Sequence, residues 1–289
     1  MTVPATDSPG YANPAALVET DWLAAHLDDP RIAVVEVDVD TGAYDTGHIP
    51  GAIAWNWQTE LQQRPSRDIP TRQQWEALLS RSGISPETRV ILYGDNHNWF
   101  AAYAYWLLKL YGHQHVQLLN GGRARWIDEG RPVVADPVRR APATYVASAP
   151  DHRLRALRDQ VAAVVADGAA VLIDVRSPGE FRGELLAPEH LPQEGAQRGG
   201  HIAGARSVPW STAVGEDGRF RSPVELRGIY GAQGVAEDRP AVTYCRIGER
   251  SAHTWFVLTE LLGVRDVRNY DGSWTEWGSL IGAPIETGG

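Results

Sequence analysis

Gly47-His48-Ile49-Pro50-Gly51-Ala52 returns, 153 positions later, as Gly200-His201-Ile202-Ala203-Gly204-Ala205. Ahead of each copy lies a β-rich run ending in aspartate, Val34-Val35-Glu36-Val37-Asp38 and Val171-Leu172-Ile173-Asp174. After each comes a second such run, Val90-Ile91-Leu92-Tyr93 and Ala241-Val242-Thr243-Tyr244. From Tyr93 to Gly112 and from Tyr244 to Gly263 the halves align without a gap, and both then reach Gly-x-x-x-x-Trp, at Gly121 to Trp126 and Gly272 to Trp277. A shared order of this length reads as a duplicated unit. Between the copies, Ala135 to Pro150 is rich in Ala and Pro, a composition that favours an extended linker. The expected domains are therefore 1–140 and 151–289.

Within each half, short β-branched runs alternate with helical patterns. Thr71-Arg72-Gln73-Gln74 and Ser222-Pro223-Val224-Glu225 read as capping boxes, in which a hydroxyl and a carboxyl or amide side chain satisfy the free amides of a first helical turn. Alternation of this kind predicts an α/β fold, each domain a mainly parallel sheet with helices on both faces. Ligands of such sheets bind where the strands end and turn into helices.

Composition narrows the function classes. The chain has 289 residues, 43% hydrophobic and 22% charged, with a net charge of −9. That balance argues against nucleic acid as a partner. No stretch approaches the apolar length of a membrane helix, and Met1 to Gly10 lacks the pattern of a signal peptide, so a cytoplasmic protein is expected. Cys245 is the only cysteine, which excludes an intramolecular disulfide and a Cys-rich zinc site. No metal or organic cofactor is implied.

That cysteine sits where a ligand would. Ala241-Val242-Thr243-Tyr244 reads as a buried strand and Ser251 to Leu262 as a helix, with Cys245-Arg246-Ile247-Gly248-Glu249-Arg250 between them. A short loop from strand end to helix start is expected to turn its amides inward as an anion nest, and the helix terminus adds positive charge. With Arg246 and Arg250 alongside, a thiolate is expected in place of a thiol. Gly248 supplies the backbone freedom for the curve. A lone cysteine is ordinarily a small buried hydrophobe. Strand, Cys, Arg, Gly, Arg and helix in this order shift the reading to a functional sulfur.

The paired Asp…Gly-His-Ile-x-Gly-Ala units and the Cys-Arg-Ile-Gly-Glu-Arg-Ser loop resemble a two-domain rhodanese, a thiosulfate sulfurtransferase, from about Val34 to Pro284. The resemblance implies two tandem rhodanese-like domains. It implies that Cys245 accepts the sulfane sulfur of thiosulfate as a persulfide and passes it to cyanide or a thiol. It also implies that Arg250 and Arg246 bind the donor, that Ile247, Gly248 and Glu249 complete the active loop, and that the first half is inactive, because Gly94 stands where the second half has Cys245. In such proteins the aspartate at Asp174 steadies the loop, and an Asp174–Arg250 pair is the expectation; an aspartate capping the following turn is the alternative.

Departures from the pattern raise further expectations. Animal-type sulfurtransferases carry a donor-binding arginine six residues after the aspartate, where this chain has Glu180; Arg182 is then either a substrate contact or a surface residue. The four residues between Cys245 and Arg250 make a loop one residue shorter than the Cys-x5-Arg of phosphatases, which favours sulfur over phosphate. His48 and His201 occur in both halves and read as turn-stabilising residues. The second half also carries an insertion, Leu185 to Gly199, read as a substrate-side loop. Trp210 and Trp274 are either core or an apolar wall about the sulfur, and Trp126 and Trp277 read as core. Two rival functions share this fold: a 3-mercaptopyruvate sulfurtransferase, whose smaller Cys-Gly-Ser-Gly loop differs at Arg246 and Glu249, and a non-catalytic persulfide carrier or sulfur-sensing interaction protein.

Overall fold

In the computed structural model, which describes residues 10–39, 41–187 and 195–289, the apolar runs become strands and the capping boxes open helices. In the first half the strands are β1 (Leu17–Val18), β2 (Ile32–Asp38), β3 (Ile53–Asn56), β4 (Arg89–Tyr93) and β5 (Val116–Leu119). They form one sheet in the order β1-β5-β4-β2-β3, every pair parallel. In the second half they are β6 (Val171–Asp174), β7 (His201–Ile202), β8 (Arg206–Ser207), β9 (Ala241–Tyr244), β10 (Val267–Asn269) and β11 (Ile285–Glu286). Here the parallel order is β10-β9-β6-β8, while β7 and β11 make a separate antiparallel ribbon.

The two sheets share a topology. The order β5-β4-β2-β3 matches β10-β9-β6-β8 strand for strand. Every residue of β2, β5, β6 and β9 is buried, the signature of strands covered on both faces. In the second half Leu172, Val242 and Tyr244 pack with Val161, Trp274 and Trp277. In the first half Ile32, Val34, Ile91 and Tyr93 pack with Leu23 and Trp126.

Both expected capping boxes form. Thr71 opens the helix Arg72–Arg81 and Ser222 opens Pro223–Gly231, each side chain accepting from the third backbone amide of its helix. A third, Ser177 with Glu180, opens the short helix Pro178–Arg182. By backbone contacts the chain divides into two compact units, one of residues 14–151 with 214–220 and the other of 10–13, 152–213 and 221–289, among the described residues. No described helix is long and apolar enough to cross a membrane.

Candidate active site

The helix after β9 starts at Glu249, two residues before the expected Ser251, and runs to Phe256, followed by a π-helical turn over Val257–Leu261. The early start has a local cause. Gly248 takes a left-handed backbone with φ of 103° and so ends the loop. A side chain there would also press on Asp271, whose Cβ lies 2.8 Å from the position of an added Cβ. Glu249 and Arg250 therefore belong to the first helical turn, one helical turn from the sulfur.

Cys245 is wholly buried, and every residue from Ala241 to Arg250 is buried. Its amide donates to the Ser273 hydroxyl at 3.1 Å, and Ser273 in turn donates to the Tyr270 carbonyl at 2.7 Å. Ser273 holds a left-handed φ of 52°, an uncommon state for a residue with a side chain. The loop is pinned further by its carbonyls, Cys245 accepting from the Trp274 amide at 3.1 Å and Arg246 from the Thr275 amide at 3.1 Å. Sequence reasoning missed Ser273, since nothing marks a serine two residues after Asp271 as an anchor for a loop nearly thirty residues away.

Around the sulfur the neighbours are polar. The Gly248 amide donates to Sγ at 3.1 Å, the Ser251 hydroxyl lies 3.6 Å away, and Sγ itself donates to Glu249 Oε2 at 3.3 Å. Of the expected nest of loop amides, the Gly248 amide points at the sulfur. Burial, and next the Glu249 carboxylate, push the thiol up, outweighing Arg250 and Ser251. That direction is opposite to the lowering expected from the two arginines. The sequence shows two arginines beside Cys245 but not that carboxylates meet one of them, Arg250.

Arg250 is consumed by carboxylates. Its two terminal nitrogens donate to Glu180 at 2.9 and 3.0 Å, and its Nε lies 3.5 Å from Glu249. Burial raises the Glu180 carboxyl, but the Arg250 hydrogen bonds and charge outweigh it and hold the group at about 2. The expected Asp174–Arg250 pair does not form. Asp174 instead meets Arg176, two residues on, at 2.6 Å, both side chains fully buried. Asp174 ends β6 facing its own following turn, whereas the capped helix Pro178–Arg182 carries Glu180 to Arg250. The structure brings together Cys245, Ile247, Gly248, Glu249, Arg250 and Glu180, with Arg246 buried beside them in the loop.

Arg182 lies elsewhere. It faces solvent in a pair with Glu184 at 2.7 Å, because the first turn of its helix spends its inward position on Glu180. Of the insertion at 185–199, residues 188–194 lie outside the described residues; beyond them Ala196 joins the core and Arg198 donates to the Gly278 carbonyl. Trp274 is core, stacked beneath the Arg176 guanidinium, and Trp210 meets His253 edge-on. His48 and His201 take matching places: each Nδ1 contacts the carbonyl of Tyr44 or Phe181 and each ring stacks on that same residue.

The first half keeps the loop anchorage without the sulfur. The Gly94 carbonyl accepts from the Arg123 amide at 3.2 Å, as Cys245 does from Trp274. A Cβ at Gly94 would sit 2.4 Å from the Val37 carbonyl and 3.1 Å from the Asp38 carboxylate, so the position has no room for a side chain.

The rhodanese-like domain family matches the chain twice, over residues 19–129 and 157–280. The chain belongs to the rhodanese-like family. A Mycobacterium tuberculosis relative named "Putative thiosulfate sulfurtransferase" is 57% identical over 94% of this rhodanese-like chain and 98% of its own. The "Sulfur carrier protein TtuD" of Thermus thermophilus is 50% identical over 96% of this chain and 99% of its own. Among solved structures, SseA from Escherichia coli, described among 3-mercaptopyruvate sulfotransferases, superposes with a TM-score of 0.76 at 27% identity, covering 90% of this chain and 98% of that one. Two rhodanese-like domains, each α/β with a mostly parallel sheet, account for the architecture.

Proposed function

We propose that this protein is a sulfurtransferase that carries the sulfane sulfur of thiosulfate to cyanide or a thiol acceptor through a persulfide on Cys245. The observation that carries the reading is the position of that sulfur, at the C-terminal end of β9 with the Gly248 amide aimed at it from 3.1 Å. An amide so placed stabilises negative sulfur at each stage, which is the electrostatic part of catalysis. The names of the mycobacterial relatives favour thiosulfate as donor.

The cycle is ping-pong. Once deprotonated, Cys245 attacks the outer sulfur of thiosulfate, the sulfur–sulfur bond of the donor breaks, and sulfite departs with its electron pair. An acceptor nucleophile then takes the outer sulfur and returns Cys245 as thiolate. The chain holds no second cysteine, so the persulfide is discharged by an external acceptor. Arg246 draws the donor's charge, Arg250, whose own charge is matched by Glu180, holds the loop at the site where the donor binds, and the N-terminal domain, lacking a nucleophile at Gly94, serves as a structural partner. The mechanism uses no metal or cofactor.

Steady-state formation of thiocyanate from thiosulfate and cyanide tests the proposal, with Cys245→Ser as control. Turnover by the parent and none by the variant is expected; equal rates would overturn the reading. The 50% identity to a sulfur carrier favours one second reading, delivery to a protein acceptor. A chain that loads one sulfur yet fails to turn over with cyanide would support it.

A further inference from the structure

We propose that Glu249 is a catalytic residue, the base that takes the proton of the Cys245 thiol as the sulfur attacks its donor. The inference rests on the sulfurtransferase reading above and deepens it. A protonated buried thiol is a poor nucleophile, and the thiolate is the reacting species. Its proton therefore needs a destination, and the geometry offers one: Glu249 Oε2 lies 3.3 Å from Sγ as the acceptor, within reach for proton transfer between heavy atoms once the contact tightens. Both side chains are buried, Glu249 at 1% exposure, so bulk water does not compete for the proton.

The helix geometry explains why this residue has the role. Glu249 is four positions after Cys245 and sits in the first turn of the helix that Gly248 caps, so its carboxylate folds back over the loop. The charged groups facing this pair are few. From the same helix Arg250 Nε lies 3.5 Å from Glu249 Oε1, and Arg250 is held in turn by Glu180 of the helix Pro178–Arg182. Arg246 follows Cys245 in the loop, and Asp271, from the turn after β10, packs on Gly248 while paired with Arg155 at 2.8 Å. The carboxylates of Glu180 and Glu249 face the guanidinium of Arg250, with Arg246 a second buried guanidinium in the loop, and of the two carboxylates Glu249 is the one beside the sulfur. Moving the proton from sulfur to Glu249 places negative charge on the nucleophile, where the Gly248 amide receives it.

The step balances. The Cys245 S–H bond breaks and its proton goes to Glu249. The sulfur–sulfur bond of thiosulfate breaks as the Cys245 sulfur bonds the outer sulfur, and sulfite leaves with the bonding pair. Glu249 then yields the proton to the departing sulfite, giving a persulfide anion and hydrogen sulfite, with no net redox change beyond the exchange of one sulfur–sulfur bond for another. After the acceptor removes the sulfur, Cys245 is left as a thiolate, and one proton taken up from solvent returns it to the thiol.

Single-turnover sulfite release, followed across the neutral pH range in the full chain, separates this role from a purely electrostatic one. In the parent the release rate is expected to be nearly flat with pH, because the proton moves internally. Glu249→Gln is expected to load about a hundredfold more slowly at neutral pH, the usual contribution of a positioned base. Its rate should then climb about tenfold per pH unit as solvent ionises the thiol. A Gln variant that loads as fast as the parent or faster, the result of removing a carboxylate that only holds the thiol protonated, would overturn the proposal. If Gln at 249 prevents folding, Glu249→Asp decides: a flat profile supports the base and a tenfold rise per unit contradicts it. A parent protein that takes up no sulfur at all would instead defeat the sulfurtransferase reading.

Discussion

Glu180 and Arg250 meet as a two-pronged ion pair, at 2.9 and 3.0 Å, with both side chains almost completely buried. The pair decides the character of the site, because it takes the positive charge that the loop sequence alone assigns to the sulfur. Gln at 180 keeps the cap, since an amide serves the third helical position as well as a carboxylate, but it removes the charge. Glu180→Gln is therefore expected to lose about 3 kcal/mol in denaturant unfolding, the scale for an orphaned buried partner. Arg250, released from Glu180, is expected to pull the Cys245 thiol down, so alkylation by iodoacetamide at neutral pH should quicken. A slower alkylation would contradict this account of the thiol.

Two carboxyls give the pH dependence of stability opposite slopes. Glu180 is held at about 2 in the folded chain, below its ordinary value, so its stabilisation is complete above about pH 4.5 and is lost as pH falls toward 2. Asp38 runs the other way. Burial, with Asp95 beside it, pushes its carboxyl up to about 8, so its ionisation costs stability as pH rises from about 4 through 8. Asp38→Asn keeps an oxygen for the Asp95 amide, 3.0 Å away, and is expected to raise the melting temperature at pH 8 relative to pH 5. An unchanged difference between the two pH values would refute the assignment.

Asp174 is a structural residue through Arg176. Replacing it by Asn leaves a buried guanidinium without its carboxylate, and a loss of about 3–5 kcal/mol is expected. Because Asp174 does not touch Arg250, sulfite release per folded molecule should stay near the parent rate. A tenfold fall in that rate, with the protein shown folded by circular dichroism, would restore the orienting role.

The crowding at Gly94 bears on the proposal that the first half is inactive. A cysteine there meets the Val37 carbonyl and the Asp38 carboxylate, so Gly94→Cys is expected to lower the melting temperature and to add no second site of sulfur uptake. Two sulfurs per chain in that variant would disprove the argument from space.

Much of this was legible in the residues. The strands β2, β4, β6 and β9 and the caps at Thr71 and Ser222 are local patterns, and local patterns are what periodicity and capping chemistry report. The rhodanese-like family was legible in the loop at Cys245 and the twice-written Gly-His-Ile motif. Charge partners were not. The Asp174–Arg250 pair is an expectation of the family resemblance, in which that aspartate steadies the loop, whereas buried ions pair by where helices deliver them. The signal for Glu180 was present: Ser177-Pro178-Gly179-Glu180 repeats the Ser-Pro-x-Glu of residues 222–225, which marks a capped helix with its carboxylate turned back toward the loop. The ionisation of Cys245 depends on burial and on Glu249, and neither is visible from the two arginines.

Intact mass of the protein after thiosulfate treatment tests the central claim most directly. The account predicts a single added sulfur on the parent chain, lost on addition of cyanide, and none on Cys245→Ser. An unchanged parent mass, or an equal gain by the serine variant, would contradict it.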